Sequence, residues 1–415
     1  EYPTTLMLKL LASITTLTLM LPASMELAAS RDANADLESI SQPQAGAAPG
    51  STGAMGVEEL LDQLNVPGVS ISVIWNFAVH WSKGFGTADV LSQRPVTPRT
   101  LFQAASISKP VTAVAAVLLA EANQLDLDAD VSHGLKSWEL PQSNWRSTAV
   151  ISPRMLLSHT AGLPKAAGFG GYWSSEALPN SQQILDGDEP STSEAFALNA
   201  TPMSRAAYSG IGTLVMQVLL EDLSSAPFAE LMQTLVLQPL QMNDSRFQQP
   251  LQPQYWPQAA VAHDAKGERL QEPWKIYPEL AAAGLWSSSA DLAKLVVAIQ
   301  RAAAGQTAEP ITRATTQQLF QPVGVGSFGT GFNVFRQGEG WYFAHMGANA
   351  GYRSVLMAHQ RKGYGVVVMT NGSNGNAVIE ELCRRVQQRY GWDVGETTGE
   401  FRYASPKGFG CLPEF

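Results

Sequence analysis

The strand-forming segments of this chain sit at its two ends. Residues 69–81 (VSISVIWNFAVHW) alternate and then run apolar, as a central strand or hairpin does. Four more short strand patterns crowd the last third, at 331–335, 341–345, 352–358 and 364–370, parted by Gly, Asn and Lys turns. Between the two groups the apolar spacing is helical. Residues 111–125 carry Val114, Leu118 and Leu125 on one stripe, and 213–223, 228–237 and 289–300 follow, the last with Ser289 as expected N-cap. An amphipathic helix over 377–389 closes the pattern. Separate strands at both ends can bury their apolar faces only if the chain returns to its start. One mixed sheet built from both termini, with an all-helical insertion, is the arrangement this predicts.

With 415 residues, 45% of them hydrophobic, the chain can bury a large core. A formal net charge of −9 and no Lys/Arg cluster exclude a nucleic-acid partner, because nothing would neutralise phosphates. Residues 1–30 read as an export signal: Lys9, an apolar run over 10–21, then small residues around Ala28, Ala29 and Ser30. That run is short for a transmembrane helix, so an exported protein, periplasmic or secreted, with no stable membrane anchor is expected, and Met7 is a candidate start. Residues 31–56, rich in Ala, Gly, Ser and Pro, read as a flexible leader, 57–390 as one domain and 391–415 as a tail. Cys383 and Cys411 form no metal or redox pattern; whether they pair is open.

The chemistry concentrates at 103–125, QAASISKPVTAVAAVLLAEANQL. Ser106 and Lys109 stand three residues apart at the head of a helix, hence on one face, with Pro110 in the first turn. The helix dipole favours an oxyanion at Ser106, and burial lowers the lysine towards a neutral amine. Ser–Lys is a nucleophile–base pair. Chance supplies about two S-x-x-K matches in a chain this long, and this one has a single match, at a helix start. Alone, it weighs evenly against a capping serine beside a surface lysine.

Its company decides. The segments TLFQAASISKP (100–110), MLLSHTAGLP (155–164), AYSG (207–210), AAAGLWSSSADLA (281–293) and GANAGYRS (347–354) resemble, in order, the serine β-lactamase and penicillin-binding-protein-like superfamily. The likeness is greatest to its class C-like group, which includes short-chain esterases and D-amino-acid peptidases. The resemblance covers roughly residues 57–390. It implies an α+β fold: a central antiparallel sheet from both termini, flanked by helices. It implies Ser106 as acylated nucleophile, Lys109 as base, Tyr208 as proton shuttle drawn towards ionisation by the lysine, and His345 in the first place of a third motif. The N–H groups of Ser106 and Ala348 form the implied oxyanion hole, Gly347 leaves room for substrate beside the strand, and His159 belongs to a structural turn. No cofactor or metal is implied.

Two departures stand out. Gly210 replaces the asparagine that relatives use to bind an acyl amide, and His345 replaces a lysine that grips a carboxylate. Both lean towards a small-molecule ester or short D-amino-acid peptide substrate, peptidoglycan-derived fragments being among the candidates, rather than β-lactams. The loop over 168–201, with Tyr172 and Trp173, is expected to roof the site, and Trp286 is a candidate wall. Rivals fare worse. No G-x-S-x-G exists for an α/β-hydrolase, and GVGSFG (324–329) precedes a strand where a dinucleotide site needs a helix. A penicillin-binding peptidase or β-lactamase, and an idle ligand-binding descendant, remain as alternatives.

Overall fold

In the computed structural model the described residues are 31–143, 150–165, 168–337 and 340–392. The export segment, with Met7 and Lys9, and the tail beyond residue 392, with Cys411, lie outside them, so the Cys383–Cys411 pairing does too. Cys383 itself is buried.

Strands are β1 (Gly68–Trp75), β2 (Ala78–Asp89), β3 (Arg94–Pro95), β4 (Phe102–Gln103), β5 (Arg246–Phe247), β6 (Leu285–Ser287), β7 (Asn333–Gln337), β8 (Gly340–Asn349), β9 (Tyr352–His359) and β10 (Gly365–Thr370). Helices are α1 (Ala33–Ser41), α2 (Val57–Gln63), α3 (Ser108–Glu121), α4 (Pro153–Leu157), α5 (Ser181–Asp186), α6 (Gly210–Ser224), α7 (Phe228–Met232), α8 (Leu280–Ala283), α9 (Ser289–Ala303), α10 (Arg313–Phe320) and α11 (Gly375–Tyr390). Seven strands form one sheet in the order β3-β2-β1-β10-β9-β8-β7. The first and last thirds meet at its centre, where Val69 pairs with Thr370 and Ile74 with Gly365. Every pairing is antiparallel, so the sheet is not mixed. Nor is the insertion all helical: it carries a small second sheet, β4-β6-β5.

Strand periodicity divides the core in two. Val69, Ile71 and Val73 of β1, with Val366 and Val368 of β10, face α1, α2 and α11. Their alternates Ile74, Val367 and Met369 face the helical layer of α3, α6 and α9. Both faces are covered, so β10 is buried along its whole length and reads as an unbroken apolar run. Each such aliphatic side chain contributes about 1.5–3 kcal/mol of burial. The exceptions on β1 are Ser70 and Ser72, whose hydroxyls meet Ser289 at 2.7 and 2.9 Å. Ser289 is therefore a sheet contact; Ser288 caps α9 instead, accepting from the Asp291 N–H at 3.2 Å.

The flexible leader is also corrected. Residues 33–41 form α1, and the following segment wraps the fully buried guanidinium of Arg385 on α11. Arg385 donates to the carbonyls of Ile40 (2.9 Å), Thr52 (3.0 Å) and Met55 (2.8 Å) and to Glu381 (2.7 Å). Asp36 binds Arg389 and His80. Low hydrophobicity hid this because polar main chain, not apolar side chains, makes the anchor. Among the described residues no helix is long and apolar enough to cross a membrane.

Candidate active site

The site begins where β4 ends. Ala104 keeps a right-handed conformation, Ala105 turns to φ +51°, and a 3-10 turn (Ala105–Ile107) hands the chain to α3. A left-handed alanine costs about 1–2 kcal/mol, and three bonds hold it there. The Ser108 hydroxyl donates to the Ala105 carbonyl (2.6 Å) and accepts the Leu285 N–H (3.0 Å), while Ser354 donates to the Ala104 carbonyl (2.9 Å). The result is that Ser106 alone is partly exposed in a buried stretch.

Lys109 lies one turn along, fully buried, and donates to Ser106 Oγ at 3.0 Å and to the Ala282 carbonyl at 2.9 Å. Burial lowers its amine to about 7, against the opposing pull of Glu279. Tyr208 hydrogen-bonds Ser106, and its ring centroid lies 5.1 Å from the Lys109 ammonium. The expected drift of this phenol towards ionisation is overturned: burial dominates and pushes it above its ordinary value. His159 brackets Tyr208. Its carbonyl accepts the Ala207 N–H (2.8 Å), its Nδ1 accepts the Ser209 N–H (3.3 Å), and its ring rests 4.4 Å from the tyrosine ring. That is a structural duty, as expected for the turn. His345, on β8, has its ring 6.1 Å from Tyr208. Its Nδ1 donates to the Met346 carbonyl (2.7 Å), which leaves a lone pair on Nε2. Burial and Lys109 lower it to about 3, so it is a neutral imidazole and no substitute for a lysine cation.

On β8, pairing with β7 stops at Ala344, and the edge beyond it packs against the Ser106 turn. Ala348 is exposed on that stretch, opposite Arg353 of β9. Gly347 has a different reason from the one expected. A Cβ there would lie 2.2 Å from the Ala104 carbonyl and 2.3 Å from Ser354 Oγ, so its bareness admits the turn that carries Ser106 rather than substrate. At Gly210 a Cβ would lie 2.6 Å from the ring of Phe169. The space an asparagine would enter is filled by an aromatic edge.

The Beta-lactamase family model matches residues 56–396. The chain belongs to the Beta-lactamase family. Among curated relatives, Penicillin-binding protein 4* of Bacillus subtilis (strain 168) is 31% identical over 163 residues, 39% of this chain and 34% of that protein. Protein flp of Staphylococcus aureus (strain N315) is 23% identical over 326 residues, 76% of this chain and 61% of its own. The chain thus spans about a third and three fifths of the lengths of these two relatives. Among solved structures, EstCE1, described as a hydrolase with promiscuous acyltransferase activity, superposes with a TM-score of 0.65 at 21% identity, over 80% of this chain and 96% of that one. The octameric penicillin-binding protein homologue from Pyrococcus abyssi gives 0.61 at 24%, over 78% and 74%. These likenesses carry the fold: the Beta-lactamase fold with its antiparallel sheet and flanking helices.

Within this Beta-lactamase fold the remaining candidates separate. Trp286 is wholly buried in β6, its ring 5.1 Å from Trp274 and 5.9 Å from Tyr352, so it is core and not a wall. Tyr172 is buried too; its main chain exchanges two hydrogen bonds with Ile276 (2.8 and 2.7 Å) and its hydroxyl accepts the Thr192 N–H, bracing the loop from within. Trp173 is half-buried, 4.8 Å beneath the Lys275 ammonium. The loop over 168–201 includes α5, and it is Phe169, unmarked in the sequence reading, that reaches Gly210. The discarded GVGSFG turn supplies Phe328, 4.7 Å from His159 and 6.1 Å from His345. Also missed were Ser108, hidden as a spacer inside S-x-x-K, Ser354, and Glu279, the sole carboxylate beside the apolar run that precedes β6.

Proposed function

We propose that the protein is an exported serine hydrolase that works through an acyl-enzyme on Ser106, on small esters or short D-amino-acid peptides. The observation that carries this reading is the 3.0 Å bond between Ser106 Oγ and the wholly buried Lys109, whose amine burial lowers to about 7. Ser106 Oγ attacks the substrate carbonyl carbon and its proton passes to Lys109. The carbonyl electron pair moves onto oxygen, held by the N–H groups of Ser106 and Ala348. Collapse of the tetrahedral species breaks the bond to the leaving group. Tyr208 gives that group a proton and is resupplied by Lys109. Water then repeats the sequence on the acyl-enzyme and frees Ser106. His345, buried and neutral, brings no charge to the strand edge.

The apolar edge of Phe169 at Gly210 and the absence of a cation at His345 support esters over β-lactams. Export rests on the pattern of residues 1–30. Intact-mass analysis after a serine-directed phosphonate tests the reading, with ester turnover measured alongside. One adduct and measurable turnover, both lost in Ser106→Ala, are expected. Turnover that survives in Ser106→Ala overturns the assignment, and a folded protein without label or turnover favours a ligand-binding role. A lasting adduct with a simple penicillin moves the reading to a penicillin-binding peptidase.

A further inference from the structure

The reaction as drawn leaves unused the one carboxyl whose charge acts on Lys109, that of the buried Glu279. Glu279 stands at the head of α8, its main-chain carbonyl accepting the N–H groups of Ala282 (3.1 Å) and Ala283 (2.8 Å). Its residue is 1% exposed, and among the described residues neither carboxyl oxygen meets a donor in good geometry, its own N–H being the weak exception. α8 is packed between α3 and α6. From α3, Thr112 donates to the Ala281 carbonyl (3.1 Å) and Lys109 to the Ala282 carbonyl (2.9 Å). From α6, Gln217 accepts the Ala281 N–H (3.0 Å). One turn earlier on the same face, the buried Thr213 hydroxyl is also without a partner among the described residues. A carboxyl left unbonded in such a place is costly unless it spends much of its time protonated or opposite a cation.

The groups around the pair settle which cation. Lys109 is faced by Tyr208, His159, His345 and Glu279, and Glu279 by Lys109 and Tyr277. Burial holds both imidazoles neutral by lowering them and both phenols neutral by raising them. Near neutral pH only Lys109 and Glu279 can change charge.

We propose that Glu279 is a positioning residue that sets the charge of Lys109: as a carboxylate it holds the ammonium, and as a carboxylic acid it leaves the amine free to take the Ser106 proton. The catalytic half of this statement rests on the hydrolase reading; the electrostatic half does not. Burial lowers the lysine to about 7 and raises the carboxyl to about 7, and each group opposes the shift of the other. The two therefore exchange a proton within one pH range and titrate as a pair.

The test follows the full chain by NMR with 13Cε-labelled lysine, the Lys109 resonance being assigned by its loss in Lys109→Met. Removing the carboxylate removes the pull that stabilises the ammonium. In Glu279→Gln the Lys109 midpoint should fall by about one pH unit or more, and the acid limb of the kcat/KM profile on a small activated ester should fall with it. Glu279→Asp should keep most of the original midpoint. A folded Glu279→Gln whose lysine midpoint does not move overturns the proposal. Should that variant not fold, 13Cδ-labelled glutamate in the native protein decides: Glu279 must titrate together with Lys109, and a carboxylate ionised throughout overturns it. The NMR readout needs no turnover, so a coupled pair in a protein inactive on esters and D-amino-acid peptides alike would refute the hydrolase reading and leave the electrostatic half of this one standing.

Discussion

Ser108→Ala tests whether the nucleophile turn is held by the spacer hydroxyl inside S-x-x-K. The hydroxyl accepts the buried Leu285 N–H at 3.0 Å and donates to the Ala105 carbonyl at 2.6 Å. Alanine strands the Leu285 N–H, which costs about 1–3 kcal/mol for an unsatisfied buried donor. The Ala105 carbonyl loses less, because it still accepts the Ser108 N–H. Together the two losses amount to about 2–3 kcal/mol. The substitution also frees Ala105 to relax from φ +51°, a conformation whose strain is about 1–2 kcal/mol. A relaxed Ala105 displaces the adjoining Ser106, and an error of about 1 Å in a reacting atom lowers the rate about a hundredfold.

Urea unfolding followed by circular dichroism measures the first effect as a lower midpoint at constant slope, and kcat/KM on an activated ester measures the second. The two should fall together. A Ser108→Ala protein within about 0.5 kcal/mol of the parent and equally active would refute the reasoning. The Ser354 bond and the β4–β6 pairing would then suffice to hold the turn.

Three further outcomes follow from the same geometry. The competent base is the neutral amine, so kcat/KM should rise with pH to a plateau above about 7 and fall about tenfold per unit below it; a profile flat through that range removes Lys109 as base. Gly210→Ala should cost about 1–3 kcal/mol by overpacking against the Phe169 ring, and Phe169→Ala should cancel most of that in a double-mutant cycle read by urea unfolding. Arg385→Leu should cost about 3–5 kcal/mol and expose the segment after α1 to limited proteolysis, because the carbonyls of Ile40, Thr52 and Met55 lose their shared donor.

Much of the sheet was legible because period-two alternation is a local signal. The run VVVM in β10 announces a strand covered on both faces, and the crowding of strands at both chain ends announces their meeting. What stayed hidden depends on contacts between distant residues. Nothing local distinguishes Arg385 from a surface arginine on an amphipathic helix; its burial is created by carbonyls 330 to 345 residues away. Trp286 was readable as wall or core until β6 found Trp274 and Tyr352. Gly347 was marked as leaving room and Gly210 only as a missing asparagine; the atoms that take the space at each, the Ala104 carbonyl and the Phe169 ring, come from elsewhere in the chain. For the site itself, spacing placed Ser106 and Lys109 on one face, and the order of motifs was needed to favour a pair over a cap and to bring in Tyr208. The direction in which Tyr208 shifts could not be read, since it depends on how deeply the phenol is buried.

That direction bears on which group takes the serine proton. Two candidates reach Ser106 Oγ, an amine and a phenol, and one physical cause acts on both. Burial penalises whichever form is charged: it destabilises ammonium, lowering the Lys109 amine to about 7, and destabilises phenolate, making Tyr208 harder to ionise than in water. In a more exposed site the two groups would stand closer together in proton affinity, with the lysine mostly charged and idle. Driving both into the interior loosens the proton on the lysine and tightens it on the tyrosine. Under the proposed mechanism, this sorts the pair into a base and a donor before substrate arrives. The sorting also explains why neutral His159 and His345 are tolerable neighbours: a cationic imidazole would ease ionisation of the phenol and blur the distinction. The apolar cover sets the direction of both shifts, and Glu279 opposes that of the lysine.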